Sequence, residues 1–554
     1  MKCFLGWIFV IFCALLLSGC ALADSDSDSS SYDYSASIHC RSEPSDPQYG
    51  GGLVKNSKFN SGLDDWKVFG NATWFQVSEG DETLVAYMQT SSGEFILVGS
   101  VIAKFGCWSM LKGGFTADDD MKVDLFIRCP ATKIEVWIDN VSLKQFTKVE
   151  WRHHQQKSID KIRKRNVRIH VKNEQGEAIK GANITLTQTR PLFTIGSGSP
   201  ASILEYKGYQ DYFTARFTAA TPHNEMKWYF TEDKQGQENY TVADAMVSFF
   251  TSNGISVRGH NILWDSQNAT PHWVPMLPRR EIVHATVRRT ASVVSRYSGN
   301  LIGWDVMNEN LHNLYFESVL GANASAMYYQ IVRALDPHTP LFLNEFNTLE
   351  YPRDLKVIPS RYIHRIREIK SFPGNEDLML RIGLESHFTL RPNVSYIRAA
   401  FDVLGATGIP IWLTELDTQK GPAQVEQLED VMREAFSHPA MEGMIVWGGW
   451  KPTACSDACL NVENYDKLPN GCSQLCLIDN NFKNLEAGDL VDKLIDEWRS
   501  RVKGVTNNEG DFHEKVFHGA YNITCSHPLM PNSLHTTFNV TKEEGTLDLS
   551  ITLK

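Results

Sequence analysis

Two glutamates in this 554-residue chain stand where carboxyl chemistry is possible. The first closes the run Ile302-Gly-Trp-Asp-Val-Met-Asn-Glu309, mostly apolar until it breaks on Asn308 and Glu309. The second lies in Ile409-Pro-Ile-Trp-Leu-Thr-Glu-Leu-Asp417, which breaks on Glu415 and Asp417. Short apolar runs of this kind read as buried strands. A carboxyl at the end of a buried strand is poorly solvated, which favours its neutral form and lifts its pKa toward the range of a general acid. Either glutamate alone is equally well explained as a structural ion pair. Together, on the ends of two parallel strands, they can converge over one rim of a sheet or barrel. Glycosidic bond cleavage needs such a pair, one carboxyl protonated to release the leaving oxygen and one ionised to attack the sugar carbon.

The WDVMNE and TELD motifs resemble those of glycoside hydrolase family 10, the endo-β-1,4-xylanases, in its plant type. The resemblance implies a retaining double displacement on xylan or xylo-oligosaccharides, with no metal or organic cofactor. It assigns Glu309 as acid/base, Glu415 as nucleophile and Asn308 as the partner of the sugar 2-hydroxyl. It further assigns Asn224 and Lys227 to the glycone sugars, His260 and Trp264 to the subsite beside the cleaved bond, and Trp447 to the floor on which a sugar stacks. His387 is expected to hydrogen-bond Glu415 or Asp417 and keep the nucleophile ionised. The chain departs from the bacterial pattern at His223 (usually glutamate), Glu385 (usually glutamine), Asp265 (often histidine) and in the WGG run. These changes are expected to touch subsites, and Glu385 to raise the acid/base by like-charge repulsion.

The elements that must position these residues are legible as alternating periods. Eight short apolar runs lie near Phe193–Gly196, Phe217–Thr221, Ile255–Gly259, Ile302–Val306, Leu341–Asn344, Arg381–Leu384, Ile409–Leu413 and Met444–Trp447. Helical spacing intervenes, as over Thr241–Phe250, and a last helix is expected at Leu490–Arg499. The pattern predicts a (β/α)8 barrel over 191–502, with its active site at the carboxyl ends of the strands.

Around the barrel, residues 1–23 read as a secretory leader ending Ala21-Leu-Ala23; a lipoprotein signal ending at Cys20 is the rival. Nine N-x-S/T sequons fit secretion to the cell wall space. Residues 24–45 are acidic and serine-rich, expected as a disordered spacer. Residues 46–150 alternate like a β-sandwich and resemble family 22 carbohydrate-binding modules, with Trp74, Trp108 and Trp137 as possible stacking rings. Residues 151–190 are expected to be a solvated basic connector followed by a β-hairpin, and 503–554 a β extension tied by Cys525. Eight cysteines follow the leader; bridges are favoured over a zinc site at Cys455, Cys459, Cys472 and Cys476. A net charge of −11 argues against nucleic acid and acidic lipid partners, and no membrane span is expected. A monomeric secreted hydrolase is thus expected; the alternatives are a xylan endotransglycosylase or a silent xylan-binding protein.

Overall fold

A computed structural model of the chain describes residues 6–17, 32–67, 81–117, 121–129, 136–462, 468, 472, 475–528 and 533–553. Eight parallel strands close on themselves: β1 (Thr194–Ser199), β2 (Ala219–Pro222), β3 (Ser256–Gly259), β4 (Leu301–Asp305), β5 (Leu341–Glu345), β6 (Leu380–Leu384), β7 (Ile411–Thr418) and β8 (Met441–Val446). Closure is made by β8 pairing with β1, Gly443 opposite Thr194 through Val446 opposite Ser197. Helices cover the outside, so each strand is buried on both faces, which is why the runs read as continuously apolar. Small residues keep the interior passable: a Cβ on Gly259 would stand 2.3 Å from the Trp304 ring. The predicted barrel is therefore the observed one, with ends shifted by a few residues. The largest shift matters most, because β7 runs on to Thr418 and carries Glu415 and Asp417 within the strand.

The amino-terminal all-β module contains Glu82–Thr90, Phe95–Ala103, Ser109–Thr116, Val123–Arg128 and Val136–Thr147 in one sheet. Gly6–Leu17, within the segment expected as a leader, runs parallel between Ser109–Thr116 and Val136–Thr147. Trp108 is only 3% exposed and belongs to the core, so it is not a stacking ring; Trp137 is half-buried. Trp74 and the strand expected at Thr73–Val77 lie outside the described residues.

Three expectations about the connections are corrected. From Tyr32 onward the acidic stretch is anchored, because two tyrosine rings outweigh its polar composition: Tyr32 is buried, its hydroxyl donates to Asp402 at 2.6 Å, and Cys40 is bridged to Cys107. The basic connector is a helix, Lys148–Ile162, closed at its start by a capping box between Thr147 and Glu150. It is docked rather than solvated, since Trp151 Nε1 and Gln155 Nε2 both donate to Glu434 of the barrel helix Gln424–Ser437, at 2.9 and 2.6 Å. The expected hairpin is reduced to a single antiparallel bridge, Lys172 opposite Ala178 across the turn at Asn173–Glu177. Lys164–Lys172 pairs with Asp511–Phe517 and Leu547–Thr552, whereas Asn183–Pro191 pairs with Arg501–Val505 and Gly519–Ser526. Lead-in and tail thus share one small β-sandwich around Val167, Ile169, Leu186, Tyr521 and Ile523. Alternation fixed the strands, but not which partner each would find. Cys525 is buried in that core as a thiol and ties nothing down. The bridges Cys455–Cys476 and Cys459–Cys472 occupy the loop where zinc was the rival.

Module and barrel are joined by a buried ion pair. Lys112 Nζ, on the module sheet, lies 2.6 Å from Asp402 Oδ2 with neither side chain exposed, and His438 Nε2 lies 3.1 Å from the other oxygen. Burial pushes the Asp402 carboxyl up, but Lys112, His438 and Arg398 outweigh it and hold it below the usual carboxylate range. Removing one member of a buried pair strands the other. Asp402→Ala should therefore cost about 3–5 kcal/mol in chemical denaturation; a loss below about 1 kcal/mol would show that the contact does not hold the two parts together.

Candidate active site at the carboxyl rim of the barrel

The acidic residues occupy successive strand ends, held by a backbone ladder that continues past the strands. Glu309 N donates to Asn344 O at 3.0 Å, Glu385 N to Glu345 O at 2.9 Å, and Glu415 N to Glu385 O at 2.9 Å. Glu309 and Ser386 turn through left-handed backbone, with φ of 56° and 76°. Such a conformation costs a non-glycine residue about 1–2 kcal/mol, and it is found where a site needs its side chains re-aimed.

A hydrogen-bond chain then links the side chains. Asn344 Nδ2 donates to Asn308 Oδ1 at 2.9 Å and Glu385 Oε1 at 3.0 Å, while its own oxygen accepts from Thr414 Oγ1 at 2.6 Å. Asn308 Nδ2 reaches Glu309 Oε1 at 3.3 Å. On the other side His387 spans two acids, Nδ1 at 3.1 Å from Asp417 and Nε2 at 3.4 Å from Glu415, with Glu385 3.8 Å away. His260 Nε2 lies 3.8 Å from Glu415, and its Nδ1 is fixed by Asp305 at 2.7 Å, which Arg258 holds from behind at 2.5 Å. Lys227 Nζ sits 4.6 Å over the Trp264 ring and 3.4 Å from Asn224 Oδ1, which also accepts from Tyr229. Trp447 follows β8 half-buried, and the rings of His223, His260 and His387 gather around it at 4.4, 6.0 and 6.4 Å. Every side chain assigned from the sequence as catalytic, binding or supporting therefore lies on this rim.

The electrostatics separate the two glutamates. Burial pushes Glu309 up to about 7, with Glu345 and Glu415 adding to the rise and Trp264 and Lys227 opposing it. Burial also acts on Glu415, yet His260, the hydrogen bond and charge of His387, and Lys227 prevail and hold it well below the usual carboxylate range. His260 is itself pushed down by burial. His387 is not: burial is outweighed by Asp417 and Glu415, which raise it well above an ordinary histidine. His387 is thus the imidazolium that keeps Glu415 ionised. Glu385 is raised well above its ordinary value, first by burial and then by Glu415 and Glu309. The repulsion expected to fall on the acid/base falls on Glu385 itself, which keeps its proton. Glu385, His387 and Glu415 place donor atoms within 4.8 Å of one another. Between Asp417 and Glu415, His387 is the group of this trio that carries positive charge.

Two departures take on different meanings in the structure. Asp265 does not face a sugar: it is fully buried, accepts the Phe316 N–H at 2.7 Å, and burial pushes it up to about 8. It fastens the loop after β4 to the end of β3. His223 lies against Trp447, and burial drives it down to about 3, so it is neutral. Trp450 of the WGGW run is 1% exposed and part of the core.

Sequence reasoning missed the end of β5. Glu345 accepts backbone N–H groups of Leu311, His312 and Phe346, and its Oε1 lies 2.6 Å from His312 Nδ1, whose Nε2 is 2.7 Å from Asp354. This cluster shapes the loop that follows Glu309. The signal was present, because LFLNE breaks from apolar to Asn-Glu as the run ending at Glu309 does.

Comparison with known proteins decides the lineage. Residues 187–468, just over half of the chain, match the model of Glycosyl hydrolase family 10. Endo-1,4-beta-xylanase 5-like of Arabidopsis thaliana is 39% identical over 92% of this chain and 88% of its own length. Endo-1,4-beta-xylanase 4 of the same plant is 38% identical over 93% of each. The chain belongs to glycosyl hydrolase family 10. The crystal structure of xylanase 10B from Thermotoga petrophila RKU-1 with xylobiose is 20% identical, with a TM-score of 0.46 over 55% of this chain and 94% of that one.

The acid/base role expected of Glu309 requires it protonated, and the nucleophile role expected of Glu415 requires it ionised. Activity should fall as pH rises through about 7, where Glu309 loses its proton. Because Glu385 keeps its proton, Glu385→Gln should leave the alkaline midpoint of the kcat/KM profile where it is. A marked downward shift would mean that Glu385 is ionised and repels Glu309.

Proposed function

We propose that the chain is an endo-acting β-1,4-xylanase that cleaves xylan with retention of configuration, in degradation or remodelling of cell wall polysaccharide. The observation that carries this reading is the unlike setting of two carboxyls on one rim: Glu415 is faced by His387 at 3.4 Å and His260 at 3.8 Å, whereas Glu309 is faced by the Asn308 amide at 3.3 Å, and burial raises it while Glu415 is lowered. The names of the Arabidopsis relatives support the choice of substrate.

In this mechanism the Glu415 carboxylate attacks the anomeric carbon of a xylosyl unit, and Glu309 gives its proton to the departing glycosidic oxygen. The leaving chain departs with a new hydroxyl, and the sugar stays esterified to Glu415. Glu309, now ionised, takes a proton from water as that water attacks the same carbon; the ester breaks, and both glutamates return to their starting states. Asn308, held by Asn344, is placed to bind the 2-hydroxyl, where charge develops beside the reacting carbon. Lys227 and Asn224 hold the glycone, Trp264 and His260 line the reacting subsite, and Trp447 offers the stacking floor. His387 and Asp417 stabilise the nucleophile's charge before attack.

The test is release of reducing ends from glucuronoarabinoxylan by the secreted protein beside Glu309→Gln and Glu415→Gln. Loss of the acid should cost about 10²–10⁴-fold, loss of the nucleophile at least as much, with both variants folded. Products longer than the substrate would assign transglycosylation instead. A folded parent that binds xylan but releases nothing would make the barrel a binding scaffold. We also propose that the chain is secreted to the wall space, in line with the disulfides Cys40–Cys107, Cys455–Cys476 and Cys459–Cys472. Cleavage of the leader after Ala23 removes the strand Gly6–Leu17 from the module sheet and predicts Asp24 as the first residue, which amino-terminal sequencing of the secreted protein checks; an intact leader, retained as that strand, contradicts it.

A further inference from the structure

The cleft does not end at the barrel. Glu350, in the loop after β5, accepts the backbone N–H groups of Ser386 and His387 at 2.8 and 3.0 Å, so this loop touches the rim beside the nucleophile. Arg353, three residues on, donates to the carbonyl of Phe95 in the amino-terminal module. Three residues span at most about 10 Å of backbone. Between these two anchors Tyr351 is 45% exposed, and Phe95 beyond them is 42% exposed. Phe95 does not stand alone. Its ring lies 5.3 Å from that of Phe126 and 6.2 Å from that of Tyr87, and Tyr87 and Phe126 are direct partners across neighbouring strands. The module thus carries a cluster of three rings at the point where the cleft loop is anchored to it, and Tyr351 is an exposed ring on that loop.

The polar residues among these rings favour a saccharide over an apolar protein face. Successive side chains on a strand alternate between faces, so Asp124 and Arg128 share the face of Phe126, and Gln89 shares that of Tyr87. Asp124 and Arg128 are exposed. A pyranose chain presents axial C–H surface to a ring and equatorial hydroxyls to flanking polar groups, and this face offers both partners. Lone exposed rings are ordinary on a protein surface, but a contiguous group reports an interaction. Asn224 and Lys227 follow β2, on the far side of the barrel mouth, so Tyr351 and the Phe95 cluster lie toward the leaving-group end of a bound chain.

We propose that Tyr351, Phe95, Tyr87 and Phe126 form an accessory stacking surface for a β-1,4-linked pyranose chain, holding the leaving-group end of xylan beyond the cleft. The proposal rests on the xylanase reading above, and it locates sugar binding by the module on this face rather than on its tryptophans. The experiment uses the full chain carrying Glu309→Gln, so that bound polymer is not cut, with affinity electrophoresis through gels containing soluble xylan. Phe95→Ala combined with Phe126→Ala should weaken retardation about tenfold, as two aromatic contacts of about 0.5–1.5 kcal/mol require. Phe95→Trp, which keeps a stacking face, should retain affinity, and Phe105→Ala, at an exposed ring elsewhere on the module, should leave it unchanged. Thermal melting establishes that the double variant is folded; should it not be, Tyr351→Ala, on the barrel loop, must show the loss instead. Retardation unchanged in the folded double variant, or equally lost in Phe105→Ala, overturns the proposal while leaving the xylanase reading intact. A chain that neither binds nor cuts xylan overturns both.

Discussion

The structure turns on a shortage of positive charge in a poorly solvated place. Glu309, Glu345, Glu385 and Glu415 stand at neighbouring strand ends, and burial pushes each of them toward its neutral form. Few cations are within reach. His387 and Lys227 are aimed at Glu415, and His312 is committed to Glu345 and Asp354. Glu415, which receives two of these cations, is held below the usual carboxylate range, whereas Glu309 and Glu385 are raised; Glu345 is raised as well, because burial outweighs the one imidazole it faces. A division of labour between two chemically identical side chains thus follows from where imidazoles lie.

Position enforces that division. Four strand ends are tied by backbone hydrogen bonds beyond the barrel proper, and left-handed turns at Glu309 and Ser386 aim consecutive residues into the mouth. Behind the mouth, Arg258 and Asp305 fix His260, and Asp265 fastens the loop that carries His312. Farther out, the helix Lys148–Ile162, the tyrosines after residue 31 and the Lys112–Asp402 pair fasten the module against the barrel's helices. The module is therefore a fixed neighbour of the cleft.

Much of this was legible in the sequence because it rests on local pattern. Eight apolar runs interrupted by helical spacing specify a parallel barrel, and an apolar run that stops on Asn-Glu or Glu-x-Asp marks a strand end with chemistry on it. What was not legible depends on partners distant in the chain. Lys164–Lys172 and Asn183–Pro191 alternate as strands should, yet each pairs with the tail more than three hundred residues away rather than with the other. The stretch from Tyr32 is serine-rich and acidic, but Tyr32 finds a buried aspartate on the barrel and Tyr34 finds His154 of the connecting helix. Asp265 reads as a subsite residue because it stands where the bacterial pattern often has histidine; only the fold shows that it faces a backbone amide. Likewise the protonation of Glu385 depends on which of three acids the cations of the rim serve, which spacing along a chain does not encode.

The central claim is that one rim holds two glutamates in opposite protonation states. Carbon-13 NMR titration of the carboxyl groups, with Glu309→Gln and Glu415→Gln to assign the signals, tests it most directly. The account predicts that the Glu309 carboxyl titrates near 7 while Glu415 stays ionised to pH values well below the ordinary carboxylate range. Two carboxyls titrating together near the usual glutamate value of about 4.3 would contradict it.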